Sequence, residues 1–166
     1  MRKHMLLFVI MTMLLTALIA CDDTTKMLEA NKELIHRFTE ATNAGDWDAF
    51  DELLTENFVR HCQATPDVRV NSREGFKKLQ ESFLASMPDQ KITPEMIIAE
   101  GDKVAVYATY SGTLTGPMGG FPATGKSMAS KFITIFRIDE GRIAEIWVEW
   151  DNLAMLTQLG LFPPPK

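Results

Sequence analysis

Cysteine is almost missing from this chain: Cys21 and Cys62 are the only two among 166 residues. No Cys/His group has metal-ligand spacing, no glycine-rich stretch has the layout of a phosphate loop, and no serine sits in a nucleophile elbow. A basic stripe is absent too. Seventeen Lys and Arg stand against 22 Asp and Glu, giving a formal charge of −5, which argues against a nucleic-acid partner. Nothing repeats internally, and the one low-complexity piece is the terminal Pro163-Pro164-Pro165-Lys166.

What is present begins at the N-terminus. Arg2, Lys3 and His4 form a basic head, and Met5 to Ala20 is apolar except for Thr12 and Thr16. The run is short for a membrane span and has the layout of a secretory leader. It closes on Leu18-Ile19-Ala20-Cys21, with acidic residues directly after, which resembles a bacterial lipobox. The expectation is a lipoprotein signal peptide over 1–20, a lipidated Cys21 opening a short linker over 21–27, a domain over 28–162 and a Pro-rich tail over 163–166. The protein would then sit in the bacterial cell envelope, anchored to a membrane through Cys21 on its periplasmic or cell-surface face. An ordinary leader or an uncleaved anchor is the alternative reading. Processing would leave 146 residues with a formal charge of −7, enough chain for one well-buried core. With Cys21 lipidated, Cys62 would have no intrachain partner, which excludes a disulfide scaffold.

Periodicity then divides the chain. Leu28, Leu34, Ile35, Phe38 and Ala41 recur at helical spacing over 24–43, ending near Gly45. Trp47, Phe50, Leu53 and Leu54 suggest a short second helix capped by Asp46, and 57–62 reads as a strand. A third helix is expected from Asn71, with Glu74 completing a capping box and Phe76, Leu79, Phe83 and Leu84 facing the core. After Pro88 the pattern changes to strands over 92–99, 104–115, 126–138 and 142–151, with a Gly- and Pro-rich loop at 115–125. Asn152 can cap a last short helix. Helices followed by an antiparallel meander make an α+β fold.

Several segments match one family in order: Pro88-Asp89, Ala99-Glu100-Gly101-Asp102-Lys103-Val104, Pro122-Ala123-Thr124-Gly125-Lys126, the strand from Phe136 to Trp147, and the closing Asp151 and Gln158-Leu159-Gly160. Together they resemble the SnoaL-like ester (polyketide) cyclases of the nuclear-transport-factor-2-like (NTF2-like) superfamily, over about residues 28–162. The resemblance implies a cone, a curved antiparallel sheet wrapped over N-terminal helices. It also implies a cofactor-independent cavity enzyme doing acid/base chemistry on a hydrophobic carbonyl or polyketide-like small molecule. In related members a carboxylate removes a proton next to a carbonyl, and the enolate closes a ring. The superfamily also contains hydrolases, isomerases and members without a known reaction, so a non-catalytic ligand-binding or interaction module is the competing expectation. A homodimer through the outer sheet face is a further expectation from the superfamily.

The resemblance places the general acid/base at Asp151 and an assisting group at His61. A base that takes a carbon-bound proton must be ionised yet partly desolvated. Asp151 reads equally as the cap of the last helix, and His61 as a histidine bonded at the sheet edge. The last strand alternates Glu145, Trp147, Glu149 and Asp151 on one side. That side is expected to face the cavity, with Glu145 paired and Trp147 either a flat wall or core. Phe132, Thr134 and Phe136 are expected to line the same cavity from the preceding strand. Leu114 is expected in the pocket, in the segment Gly112-Thr113-Leu114-Thr115-Gly116, where the family often carries histidine.

Overall fold

No proline or glycine interrupts the chain from Arg2 to Ala44, and this whole stretch is one helix, α1 (Arg2–Ala44). The computed structural model describes residues 2–162, and side chains over 23–162. The short linker expected over 21–27 is helical instead. The side chain of Cys21, those of the leader and the tail 163–166 lie outside the described residues. Among the described residues no helix is long and apolar enough to cross a membrane.

Leu34, Ile35, Phe38 and Ala41 form the buried stripe of α1, which ends at Gly45 in the left-handed region (φ +68°). Asp46 Oδ1 accepts from Ala49 N at 3.2 Å, closing a turn into the four-residue α2 (Phe50–Leu53). Then come β1 (Leu54–His61), α3 (Arg73–Ser86), β2 (Lys91–Glu100), β3 (Lys103–Thr113), β4 (Ser127–Asp139), β5 (Arg142–Trp150) and α4 (Asn152–Gln158). One cap differs from expectation by one residue: Ser72, not Asn71, caps α3 by accepting from Gly75 N. Of the two cap readings for α4, the structure selects Asp151, which accepts from Ala154 N at 2.9 Å, over Asn152.

The five strands form one sheet in the order β1-β5-β4-β3-β2. Neighbours pair antiparallel except β1, which runs parallel to β5, so the sheet is mixed rather than a pure meander. Helices cover one face. Phe38, Phe50, Phe58 and Phe76 pack there, with ring centroids 5.3 Å apart for Phe38–Phe50 and 4.7 Å for Phe58–Phe76.

The β4–β5 hairpin decides which side of the last strand looks inward. Glu140 (φ +48°) and Gly141 (φ +74°) make a tight two-residue turn with both central residues left-handed. Asp139 pairs with Arg142 and Ile138 with Ile143, but Arg137 pairs with Glu145. Ala144 is therefore an extra residue, a β-bulge, and Ile143 and Ala144 are both buried in succession. Beyond the bulge every side chain changes face. Ile146, Val148 and Trp150 face the helices opposite Phe136, Thr134 and Phe132, while Glu145, Trp147 and Glu149 face outward. This corrects the expectation that the carboxylate side looks into the cone. The observed arrangement buries an apolar row and leaves the two carboxylates near water, avoiding a large desolvation cost.

The loop after β3 folds back over the end of α3. Thr115 N and Gly116 N both donate to Ser86 O, at 3.1 and 3.0 Å. A Cβ on Gly116 would lie 2.4 Å from Ala85 O, so only glycine allows this approach. The loop thereby brings Met118 and Phe121 to the cone's mouth.

Candidate functional site

Among the described residues, two hollows that share part of their lining lie between the helices and the inner sheet face. The deeper one, about 60 Å3, is lined by Phe38, Phe76, Phe132, Thr134 and Val148 among others. The wider one, about 400 Å3, opens between α3, α4 and the loops, against Val68, Leu79, Phe83, Met118, Phe121 and Met155. Leu79 and Phe83 carry helical core spacing, yet they are only half-buried because they wall this hollow rather than filling it. Arg60, Phe83 and Trp150 line both. Trp150 stacks on Phe132 at 5.2 Å and meets the Tyr110 ring edge-on at 5.7 Å, forming an aromatic floor. Tyr110 donates its hydroxyl to Gln90 Oε1 at 2.7 Å, and burial raises its ionisation well above the ordinary tyrosine range.

Phe132, Thr134 and Phe136 thus stand in the deeper hollow, as expected. The other residues singled out from the sequence stand elsewhere. Leu114 is fully buried in the core and lines neither hollow. His61, Glu145 and Trp147 come together, but on the outer sheet face. The His61 ring stacks on Trp147 at 5.0 Å, and Glu145 accepts from His61 Nε2 at 3.1 Å and from Arg137 Nε at 2.8 Å. Trp147 is 36% exposed. The bulge at Ala144 is the reason: it turns this side of β5 to the outside, and β1 follows because His61 pairs with Trp147.

His61 first, and then Arg137, holds the Glu145 carboxyl below its ordinary value of 4.5. A lowered folded value means that the contact stabilises the fold above the ordinary value and is lost as the pH falls through the folded value. Wild type should exceed Glu145→Gln in stability at neutral pH, and the gap should close on acidification below about pH 4.5. Urea titrations across that range measure it.

Asp151 is exposed, and its Oδ1 accepts from the first turn of α4. Its neighbours Trp150 and Asn152 both line the wide hollow, whereas its own side chain does not. Replacing Asp151 by Ala should cost about 1 kcal/mol of stability, the usual worth of a cap. Chemical denaturation reads it directly.

Arg60 is the cavity residue that sequence reasoning passed over. It is 6% exposed and, among the described residues, is the only charged side chain lining either hollow. Its signal was parity: it alternates inward with Phe58 along β1. Among the described residues no group of three His, Cys, Asp or Glu could hold a metal ion.

Known proteins share this architecture. TsrD from Streptomyces laurentii is 30% identical, with a TM-score of 0.72 over 80% of this chain and 96% of that one. IdmH from Streptomyces antibioticus, a proposed polyketide cyclase, is 31% identical with a TM-score of 0.70, covering 79% and 99%. AclR from Streptomyces galilaeus, a proposed hydroxylase, is 26% identical with a TM-score of 0.71, covering 82% and 99%. No curated protein matches the chain. The family described as SnoaL-like polyketide cyclase matches residues 32–159, most of the chain. With its helix-covered mixed sheet and its hollow cone, the chain belongs to the SnoaL-like polyketide cyclase family.

Proposed function

We propose that this member of the family binds an apolar small molecule in the cone, and that Cys21 carries a lipid holding it to a membrane of the bacterial envelope. The carrying observation is the wide hollow of about 400 Å3 with an aromatic floor, whose lining contains no carboxylate and no histidine. A cavity of this size suits a ring system of two to several fused cycles. Native mass spectrometry of the purified chain tests it. A co-purified small molecule, or uptake of added polycyclic aromatics, supports binding; no uptake of any apolar probe removes the proposal. Replacement of Cys21 by Ser should release the protein from membranes, and an unchanged membrane fraction would count against the anchor.

A second reading keeps the acid/base cyclase chemistry on a hydrophobic carbonyl compound, with Asp151 as the base and His61 assisting. It is favoured by one observation: Asp151 stands between two cavity-lining residues, Trp150 and Asn152. Rotating its side chain out of the cap would bring the carboxylate to the mouth, at about the cost of one cap. His61 sits on the outer face, so its help would have to be indirect. Unchanged turnover of a carbonyl substrate by Asp151→Asn would end this reading.

The outer sheet face is proposed as a homodimer surface. Met96, Ile98, Tyr107, Ile133, Ile135 and Trp147 are exposed large hydrophobics on four adjacent strands, an unusual amount for a face left in water. Sedimentation of wild type against Ile133→Lys decides it: a dimer that dissociates in the variant supports the surface, and a monomeric wild type refutes it.

A further inference from the structure

We infer that the cone selects apolar molecules bearing a carboxylate, with the Arg60 guanidinium as the group that receives it. The inference rests on the proposed binding in the cavity and names the ligand class of that same site.

Arg60 is held in place before any ligand arrives. Its backbone N donates to Val70 O at 3.0 Å, tying β1 to the chain entering α3. Both terminal nitrogens of its side chain reach the same acceptor, Thr65 Oγ1, at 3.2 Å each. A guanidinium carries five N–H donors, and the Thr65 hydroxyl with the Cys62 thiol beside it does not take them all. Among the described residues no carboxylate lies within ion-pair distance, 4.0 Å, of Arg60. Glu149 and Cys62 lie near enough to favour its charge, but Glu149 spends one oxygen on Gln63 N at 3.2 Å. Burial pulls the guanidinium down from its ordinary value, yet an arginine stays a cation at neutral pH.

A buried cation without a close counter-ion is costly, and proteins rarely keep one unless something completes it. Here the completing group has a defined approach. Arg60 borders both hollows, so a ligand head at its guanidinium leaves the body against Trp150, Phe83 and Leu79 in the wide one. A carboxylate offers two parallel acceptors that match the planar fork. A neutral carbonyl offers one, and an ammonium would be repelled. Asn152 lines the same hollow but already donates its Nδ2 to Ala64 O, so it adds shape more than charge.

Calorimetric titration of the full chain at neutral pH, with naphthalene carboxylate and its primary carboxamide as probes, tests this. The two differ in charge and hardly in shape. Wild type should bind the acid roughly 10- to 100-fold more tightly than the amide, the range for a charge-assisted hydrogen-bonded pair. In Arg60→Gln the acid-to-amide ratio should fall to near one. Equal binding of both probes by wild type would overturn the inference and leave cavity binding standing. A preference that survives in Arg60→Gln would also overturn it, since another residue would then supply the charge. Binding of neither probe would take down the cavity proposal and this inference with it. If Arg60→Gln does not fold, the wild-type ratio decides alone.

Discussion

Ser82→Trp should weaken binding of apolar probes at least tenfold, about 1.4 kcal/mol, while leaving thermal stability within about a degree of wild type. Ser82 lines the wide hollow from α3 and is otherwise exposed, its hydroxyl bonded only to Leu79 O one turn back. An indole there has solvent on one side and the hollow on the other. Its apolar surface is better satisfied against Phe83 and Met118 than in water, so it should lie across the mouth. Nothing in the core has to move to admit it, which is why the fold should be untouched. Calorimetry with a neutral polycyclic probe, beside a thermal scan, separates the two effects. Undiminished affinity in a folded variant would place the ligand somewhere other than this cone.

Phe50→Ala should cost about 3–5 kcal/mol, a large share of the 5–15 kcal/mol that holds a typical domain together. Phe50 is fully buried where α2 meets α1 and α3. Its ring stacks on Phe38 at 5.3 Å and Phe76 at 5.8 Å, and Trp47 closes on it edge-first at 5.4 Å. Truncation opens a void among three aromatic side chains, Phe38 on α1, Phe76 on α3 and Trp47 on the turn between α1 and α2, and no single small shift can fill it. For a domain of this size the melting temperature should fall on the order of 10–15 °C. A drop of only a few degrees would mean that the cluster repacks, and that the helices are less rigidly seated on the sheet than their ring contacts imply.

The two predictions concern parts of the chain that differed in how readily they could be read. Leu34, Ile35, Phe38 and Ala41 announce their burial by spacing, because a helix repeats every 3.6 residues whatever surrounds it. The same holds for β2 to β5, whose bounds fall within about two residues of those expected, whereas β1 begins at Leu54, three residues before the expected start and inside the stretch expected to be helical. The cap of α3 was one residue off and that of α4 stood open between two residues, because adjacent polar pairs, Asn71-Ser72 and Asp151-Asn152, offer two caps and only the backbone conformation selects one. The parallel placement of β1 beside β5 could not be read locally, since it joins residues more than eighty positions apart.

The sequence by itself determined the order of helices and strands, the family, and the apolar and charged sides of each element. The elements and their sides follow from local periodicity, which operates over a few residues, and the family from the resemblance of several short segments in order. Only the tertiary structure decided which side faces the hollow. One extra residue, Ala144, shifts the pairing of β4 with β5 by a single position, and a strand's period of two turns that shift into a full exchange of faces. The exchange moves Glu145 and Trp147 to the outside and leaves a buried arginine, rather than an acid, as the charge that an entering molecule would meet.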